Sequence, residues 1–329
     1  MYNKKKKALI TGISGQDGSY IAELLLGMGY EVHGIVRRAS IEDPERYLWR
    51  IVHLLDKIHI HVGSVDSYPT VFNIIEKVRP DEVYHLAASS FVVYSPDEEI
   101  SVLNSNVGST MYILSALKEK SAESKLYFAC SSEVFGKAPY SPQNENTPFN
   151  PRSIYGISKA TGFYIVKYFR QNFKLFCCSG IAYNHESPRR GFEYVTRKIT
   201  SGVAKIKYGL SKELRLGNLD ARRDWGYSPD FVRAMWMMLQ RSEPEDYVIA
   251  TGKTHSVRDI VEFAFDYVGL DWRKYVVIDP ALYRPQEDVE LRGDYSKIKK
   301  DLSWEPTVDF YKMLEIMLQE DLKIYSRYS

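Results

Sequence analysis

The chain has 329 residues, enough for a two-lobed enzyme or one large α/β domain and too many for a peptide-sized binding module. Its 44% hydrophobic and 26% charged residues exclude the disordered, collagen-like and disulfide-scaffold classes. Lys and Arg number 44 against 42 Asp and Glu, and a net charge of +2 is too small to draw nucleic acid or a lipid surface to the molecule as a whole, so an anionic ligand must be met by focused positive charge.

Short apolar runs at Ala8–Ile10, Val32–Val36, His59–Val62, Glu82–Leu86 and Leu126–Cys130 alternate with stretches of helical spacing such as Ile21, Leu24, Leu25 and Met28. This is βαβ repetition, which predicts an α/β fold with a doubly wound parallel sheet covered on both faces. Helices are predicted at Tyr68–Val78, Val102–Lys120 and Tyr155–Asn172, and a further strand at Leu175–Ala182. After about residue 183 the alternation fails and Gly, Pro and Arg cluster at Asn184–Gly191, Gly217–Pro229 and Arg284–Gly293. That half is expected to be a smaller lobe laid over the sheet without an independent core. The three cysteines, Cys130, Cys177 and Cys178, suit a reducing cytoplasm. No apolar run reaches the ~18 residues of a membrane span, and Lys4 to Lys7 read as a solvated tail, so neither membrane nor nucleic acid is expected as a partner. The 25 tyrosines against 14 phenylalanines have no explanation at this level.

The first strand runs into Gly12-Ile13-Ser14-Gly15-Gln16-Asp17-Gly18 and then a helix. Glycines three apart allow a tight turn, bring backbone N–H groups onto a pyrophosphate and pack helix against strand, while the helix N-terminus adds its positive dipole. Nicotinamide-binding units carry an acidic residue about 20 positions on for the ribose 2′-hydroxyl, or an Arg for a 2′-phosphate. Strand two ends in Val36-Arg37-Arg38 with no carboxylate, so NADP is expected, with Arg37 as the contact.

Strand five ends in Cys130-Ser131-Ser132-Glu133, and Tyr155 and Lys159 follow at a helix start. Four residues apart, these two share a helix face, so the ammonium can lower the phenol's pKa and hold the nicotinamide ribose while the tyrosinate takes a proton from a sugar hydroxyl. Ser131 completes the hydrogen-bond path. A Tyr and Lys at this spacing recur by chance; with the glycine loop and the upstream serine the set becomes specific.

At this point the chain resembles the extended short-chain dehydrogenase/reductase superfamily and, within it, the GDP-mannose 4,6-dehydratase family. Ala8–Tyr20, Tyr30–Arg38, Asn184–Gly191, Val195–Lys198, Leu216–Gly226 and Tyr283–Glu287 carry the likeness, which covers essentially the whole chain. It implies a Rossmann-type NADP-binding domain over residues 1–183, which includes the catalytic residues, and a smaller α/β lobe over 184–329 that mainly binds nucleotide sugar. The implied reaction moves hydride from C4 to C6 of GDP-mannose through bound NADP. It also gives Glu133 a task, as the carboxylate that abstracts the C5 proton. Related glucose-nucleotide enzymes carry an acid just before that Glu; here it is Ser132, so Glu133 serves as base and then as acid. The likeness further assigns Ser14, Gln16, Asp17, Ser64, Val65, Leu86, Ala87, Ser90, His185 and Arg190 to the cofactor. Ser90, Asn184, Lys198, Arg223, Arg284 and Glu287 are assigned to the substrate, and no metal is expected.

The chain departs from the pattern at Ser64-Val65, where an Asp-Leu pair is usual and Asp66 becomes the alternative adenine contact. It departs also at Ser89 for Gln, at Ile154 for Pro and across Ala39–Ile58. The Arg pair reaches a neighbouring subunit in the family, which implies a homo-oligomer, dimer or tetramer. Ser89 and Tyr94 leave another GDP sugar, a manno-heptose, as the alternative substrate. A reductase or epimerase would leave Glu133 idle, and a non-enzymatic NADP-binding scaffold would not need Tyr155 and Lys159.

Overall fold

The computed structural model describes residues 5–89, 96–283 and 290–328. In chain order the elements are β1 (Lys7–Thr11), α1 (Gln16–Gly27), β2 (Glu31–Val36), α2 (Arg38–Glu42), α3 (Pro44–Tyr47), β3 (His59–Val62), α4 (Tyr68–Val78), β4 (Glu82–His85), α5 (Pro96–Lys120), β5 (Lys125–Ser131), α6 (Ile154–Phe173) and β6 (Cys177–Ala182). There follow β7 (Asn184–Glu186), α7 (Val195–Lys207), β8 (Leu214–Leu216), β9 (Arg222–Tyr227), α8 (Ser228–Leu239), β10 (Tyr247–Ile249), β11 (Thr254–Ser256), α9 (Val257–Tyr267), β12 (Val276–Ile278), α10 (Ser296–Leu302) and α11 (Phe310–Tyr325).

Seven of the strands pair in parallel in the order β10-β6-β5-β4-β1-β2-β3. The six strands expected from apolar runs all lie in this sheet; the inner ones read as continuous hydrophobic sequence because both their faces are buried, while β3, at the edge, is partly exposed. The order reverses between β1 and β4. Such a switch point opens a crevice at the carboxyl ends of the strands, where ligands of open α/β sheets bind. The remaining strands form two small sheets, β11-β9-β7 and β12-β8.

Two buried apolar clusters hold these parts. The larger, around Leu9, Ile10, Val83, Leu126 and Ile181, crosses residue 183 and takes in Phe231, Met235, Met238, Val248 and Trp304 from α8, β10 and the segment after α10. The smaller gathers Ile199, Val203, Trp225, Ile260, Phe265, Met313 and Met317. The expectation of a lobe without its own core is thus corrected. α7, α9 and α11 each carry an apolar stripe at helical spacing, and the three stripes close on one another. The chain also returns to the main sheet as β10, a three-residue strand too short to stand out by pattern.

Part of the tyrosine surplus is structural. Tyr84, Tyr127, Tyr183 and Tyr247 are fully buried, and three of them bring the hydroxyl to a partner: Tyr84 donates to Glu82 at 2.8 Å, Tyr183 to Gln143 at 2.8 Å and Tyr247 to Asp301 at 3.1 Å. Among the described residues no helix is long and apolar enough to cross a membrane.

Candidate active site

The glycine loop sits at the carboxyl end of β1, beside the switch point. Gly12 has φ +73°, and a Cβ there would lie 2.9 Å from the Ala87 nitrogen. A Cβ on Gly18 would lie 2.1 Å from the Gly12 carbonyl oxygen, so α1 packs on the turn at a distance only glycine permits. Gly15 donates its N–H to the Gly12 carbonyl at 2.9 Å and is the N-cap of α1, with no side chain capping the helix. First-turn N–H groups that no side chain takes, at the positive end of a helix, form a cradle that fits a pyrophosphate.

Across the crevice the Thr11 hydroxyl oxygen accepts from the Leu86 and Ala87 N–H groups at 3.2 and 3.1 Å and contacts His85 Nδ1 at 2.8 Å. Burial pushes His85 down to about 3, so the ring is neutral and acts as a strut that fixes the β1 and β4 ends together. Arg37 is the exposed residue after β2, at the N-cap of α2. After β3, Ser64 donates to Asp66 at 3.0 Å, and Asp66 also accepts from Ser105 at 2.5 Å. Arg37, Ser64 and Val65 therefore sit at the same carboxyl edge as the glycine loop.

Ser131 ends β5 and its hydroxyl accepts the Glu133 N–H at 3.3 Å, closing a single 3₁₀ turn over Ser132–Val134. The start of α6 lies directly on this turn, since a Cβ on Gly156 would fall 2.7 Å from the Glu133 carbonyl oxygen. Ser153 caps the helix by accepting from the Gly156 N–H at 3.0 Å. Tyr155 is thereby brought into hydrogen-bond contact with Ser131; burial pushes its phenol up, and the bond to Ser131 opposes that rise. One turn on, the buried Lys159 donates to the Ala129 carbonyl at 2.7 Å and lies 5.7 Å from the Tyr155 ring centroid. Burial lowers Lys159 to about 8. The ammonium is thus engaged on the backbone, and desolvation rather than Lys159 dominates the phenol. Ser131, Glu133, Tyr155 and Lys159 nevertheless form one cluster.

Asn106 of α5, which no motif marks, ties the cluster to β4. Its side chain accepts from the Ser89 N–H at 2.9 Å and donates to the Ser89 carbonyl at 3.3 Å and to Ser158 at 3.0 Å, while Ser158 donates to the Tyr155 carbonyl at 2.7 Å.

The smaller lobe meets the glycine loop through β7. His185 Nε2 lies 2.8 Å from Asp17, which also accepts from Ser228 at 2.8 Å. Burial alone would raise Asp17; His185, Ser228 and Arg190 more than offset it and hold the carboxyl at about 2. His185, which burial would push down, is raised by Asp17. Gln16 donates to the His185 carbonyl at 3.0 Å and accepts from Ser187 at 2.8 Å. Gln16 and Asp17, expected as cofactor contacts, thus staple the loop to the lobe with their side chains. Arg190 pairs with Glu186 at 3.2 Å and stacks 3.5 Å from the Tyr194 ring. Arg50, which sequence reading passed over, donates to the Arg189 carbonyl at 2.6 Å and to the Ser14 carbonyl at 3.4 Å, and its surroundings lower it to about 10, burial foremost.

Asn184 on β7 and Arg223 on β9 share the three-stranded sheet, Asn184 pairing with Trp225. Arg223 donates to the Arg222 carbonyl at 2.7 Å. Lys198 is half-buried on α7, next to Arg197, whose guanidinium meets Asp321 of α11 at 2.7 Å in a fully buried ion pair. Ser90, Tyr94, Arg284 and Glu287 lie outside the described residues.

The family profile described as GDP-mannose 4,6 dehydratase matches residues 9–317. GDP-mannose 4,6 dehydratase 2 of Arabidopsis thaliana is 44% identical over 334 residues, covering 98% of this chain and 88% of its own. GDP-mannose 4,6-dehydratase of Vibrio cholerae is 42% identical over 357 residues, covering 99% and 96%. Among solved structures, dTDP-glucose 4,6-dehydratase from Bacillus anthracis, in complex with NAD, superposes with a TM-score of 0.84 at 21% identity over 98% of each chain, which is a likeness of fold.

Proposed function

The chain belongs to the GDP-mannose 4,6-dehydratase family, and we infer that it converts GDP-D-mannose to GDP-4-keto-6-deoxy-D-mannose with a nicotinamide cofactor, NADP rather than NAD. The observation that carries this reading is the cluster of Ser131, Glu133, Tyr155 and Lys159 at the carboxyl ends of the central strands, beside a glycine cradle. Arg37 after β2, where no carboxylate competes, supports the 2′-phosphate form. When bound, the cofactor supplies the hydride acceptor for C4 and later the hydride donor for C6.

In this reading Tyr155 takes the C4 hydroxyl proton as the 4-ketone forms and Ser131 holds the oxygen, while Lys159 would hold the cofactor's ribose and favour the ionised phenol by its charge. The ketone acidifies C5–H. Glu133 removes that proton and delivers it to the C6 hydroxyl, which leaves as water; Ser132 next to it has no proton of suitable acidity to give. As C6 is reduced, Tyr155 would give the proton it took from the C4 hydroxyl to C5, which leaves the C4 ketone in place and Tyr155 and Glu133 as they began. His185, Arg190, Leu86, Ala87 and Ser90 would line the cofactor, and Asn184, Lys198, Arg223, Arg284 and Glu287 the GDP moiety, with residues 1–183 mainly serving the first ligand and 184–329 the second. Lys and Arg suit a diphosphate because of their charge and, for Arg, a forked donor set.

A homo-oligomer in the cytoplasm completes the proposal. The exposed Met111, Ile157, Tyr164 and Tyr168 on α5 and α6 support self-association. The test is to incubate pure protein with GDP-mannose in deuterated water without added cofactor. A 4-keto product with one deuterium at C5 and no net consumption of NADPH is expected. Turnover of a GDP-manno-heptose but not of GDP-mannose would overturn the substrate, and full dehydration by Glu133→Gln would overturn the mechanism.

A further inference from the structure

At the amino ends of the edge strand β3 and its neighbour β2, away from the crevice, lies a group of side chains that the dehydration does not use. Glu31 and His33 are two apart on β2 and so project from one face. His59 begins β3 and pairs in register with His33, which puts its side chain on that same face. One ligand atom from each of Glu31, His33 and His59 lies within 4.8 Å of the others. His33 Nε2 is 2.8 Å from the Glu31 carboxylate, and the rings of His33 and His59 stack at 4.8 Å. The other nitrogen of the nearly buried His33, Nδ1, meets Nε2 of His61 at 3.0 Å.

We propose that Glu31, His33 and His59 form a binding site for a borderline divalent cation of the Zn²⁺ class, with His61 orienting His33 from outside. This contrasts with the sequence, which led to no expectation of a metal. Two imidazoles and one carboxylate suit Zn²⁺, Co²⁺, Ni²⁺ or Cu²⁺ and are poorly matched to Mg²⁺ or Ca²⁺, which take oxygen ligands. Ligand atoms around a tetrahedral ion at ~2.0–2.1 Å lie about 3.3 Å apart, so a modest closing motion of the half-buried Glu31 and the exposed His59 completes the set, with water in the fourth position. The His33–His61 contact has the form of an outer partner that fixes a metal-binding ring: Nδ1–H donates to His61 and leaves the Nε2 lone pair for the ion. Lys7, 3.7 Å from Glu31, is the cation an incoming metal displaces. The cysteines are buried and do not compete.

The ion would clip β3 to β2. Both strands run on to the edge that carries Arg37 and Ser64, roughly 13 Å from His33 at ~3.3 Å per residue, so the ion would brace the sheet without entering the reaction. The experiment uses the full chain freed of any affinity tag and metal: Co²⁺ titration followed by visible absorption, and Zn²⁺ competition against a chromophoric chelator. One equivalent is expected, with affinity at least tenfold weaker in His59→Ala, whose exposed side chain the fold does not need, and weakened also in His61→Ala. His53→Ala, a control at an exposed histidine paired with Glu23, should leave binding unchanged, and dehydration of GDP-mannose should proceed at the same rate with and without the ion. Substoichiometric binding, or binding unaffected by His59→Ala, would overturn the proposal.

Discussion

The Asp17–His185 contact is where the glycine loop and the smaller lobe grip each other, and its strength can be worked out. Holding a carboxyl at about 2 instead of its ordinary 3.8 corresponds to about 2.4 kcal/mol. Ser228 and Arg190 account for part of that, and neither Asp17 nor His185 is wholly shielded from water, so about 1.5 kcal/mol falls to His185. The depressed carboxyl gives stability that is present above the ordinary carboxylate range and lost as pH falls through about 2. The raised imidazole gives stability that is full below the ordinary histidine pKa and lost as pH rises through its folded value. A double-mutant cycle of Asp17→Ala and His185→Ala, read by urea denaturation, should therefore show about 1.5 kcal/mol of coupling at pH 6 and less than half of that at pH 9. A coupling under ~0.3 kcal/mol at pH 6, or one that grows with pH, would refute the account of this bridge.

Gly18→Ala places a methyl against backbone that cannot yield, so cofactor affinity should fall at least tenfold and stability by ~1–3 kcal/mol, as seen in fluorescence titration and thermal melts. Gly27→Ala, in the same helix with open space around it, should not lose either. Because burial has brought Lys159 to about 8, the dissociation constant for NADPH should rise as pH passes that value and the ammonium is lost; in Lys159→Met the step should vanish. Asp321→Ala strands the buried Arg197 guanidinium and should cost ~3–5 kcal/mol in a melt, most of it recovered when Arg197 is also replaced by Met.

The parts of the site that can be read from sequence are those built by neighbours along the chain. Gly12, Gly15 and Gly18 act within one turn, and Tyr155 and Lys159 within one helical face, so spacing carries their meaning. Strands such as β1 and β5 were legible because both their faces are buried. Asn106, Arg50 and the Asp17–His185 bridge follow no such rule. Each acts on a residue far away in sequence, and nothing local distinguishes Asn106 from any other helix-surface amide. The lobe's core was missed for a related reason: the stripes of α7, α9 and α11 are legible singly, but that they face one another is a property of the packing. The Lys159 ammonium on the Ala129 carbonyl depends on burial, which spacing does not report.

That β10 comes late in the chain has a consequence for biosynthesis. On a ribosome, β6 emerges with every residue destined for burial, yet its second neighbour, Tyr247–Ile249, has not been made. At ~5–20 residues per second the wait lasts on the order of several seconds, during which the edge of a strand meant for full burial stands open. The nascent chain is therefore a substrate for chaperones over that interval. A premature stop between the two strands would leave a sticky half-sheet rather than a smaller working domain.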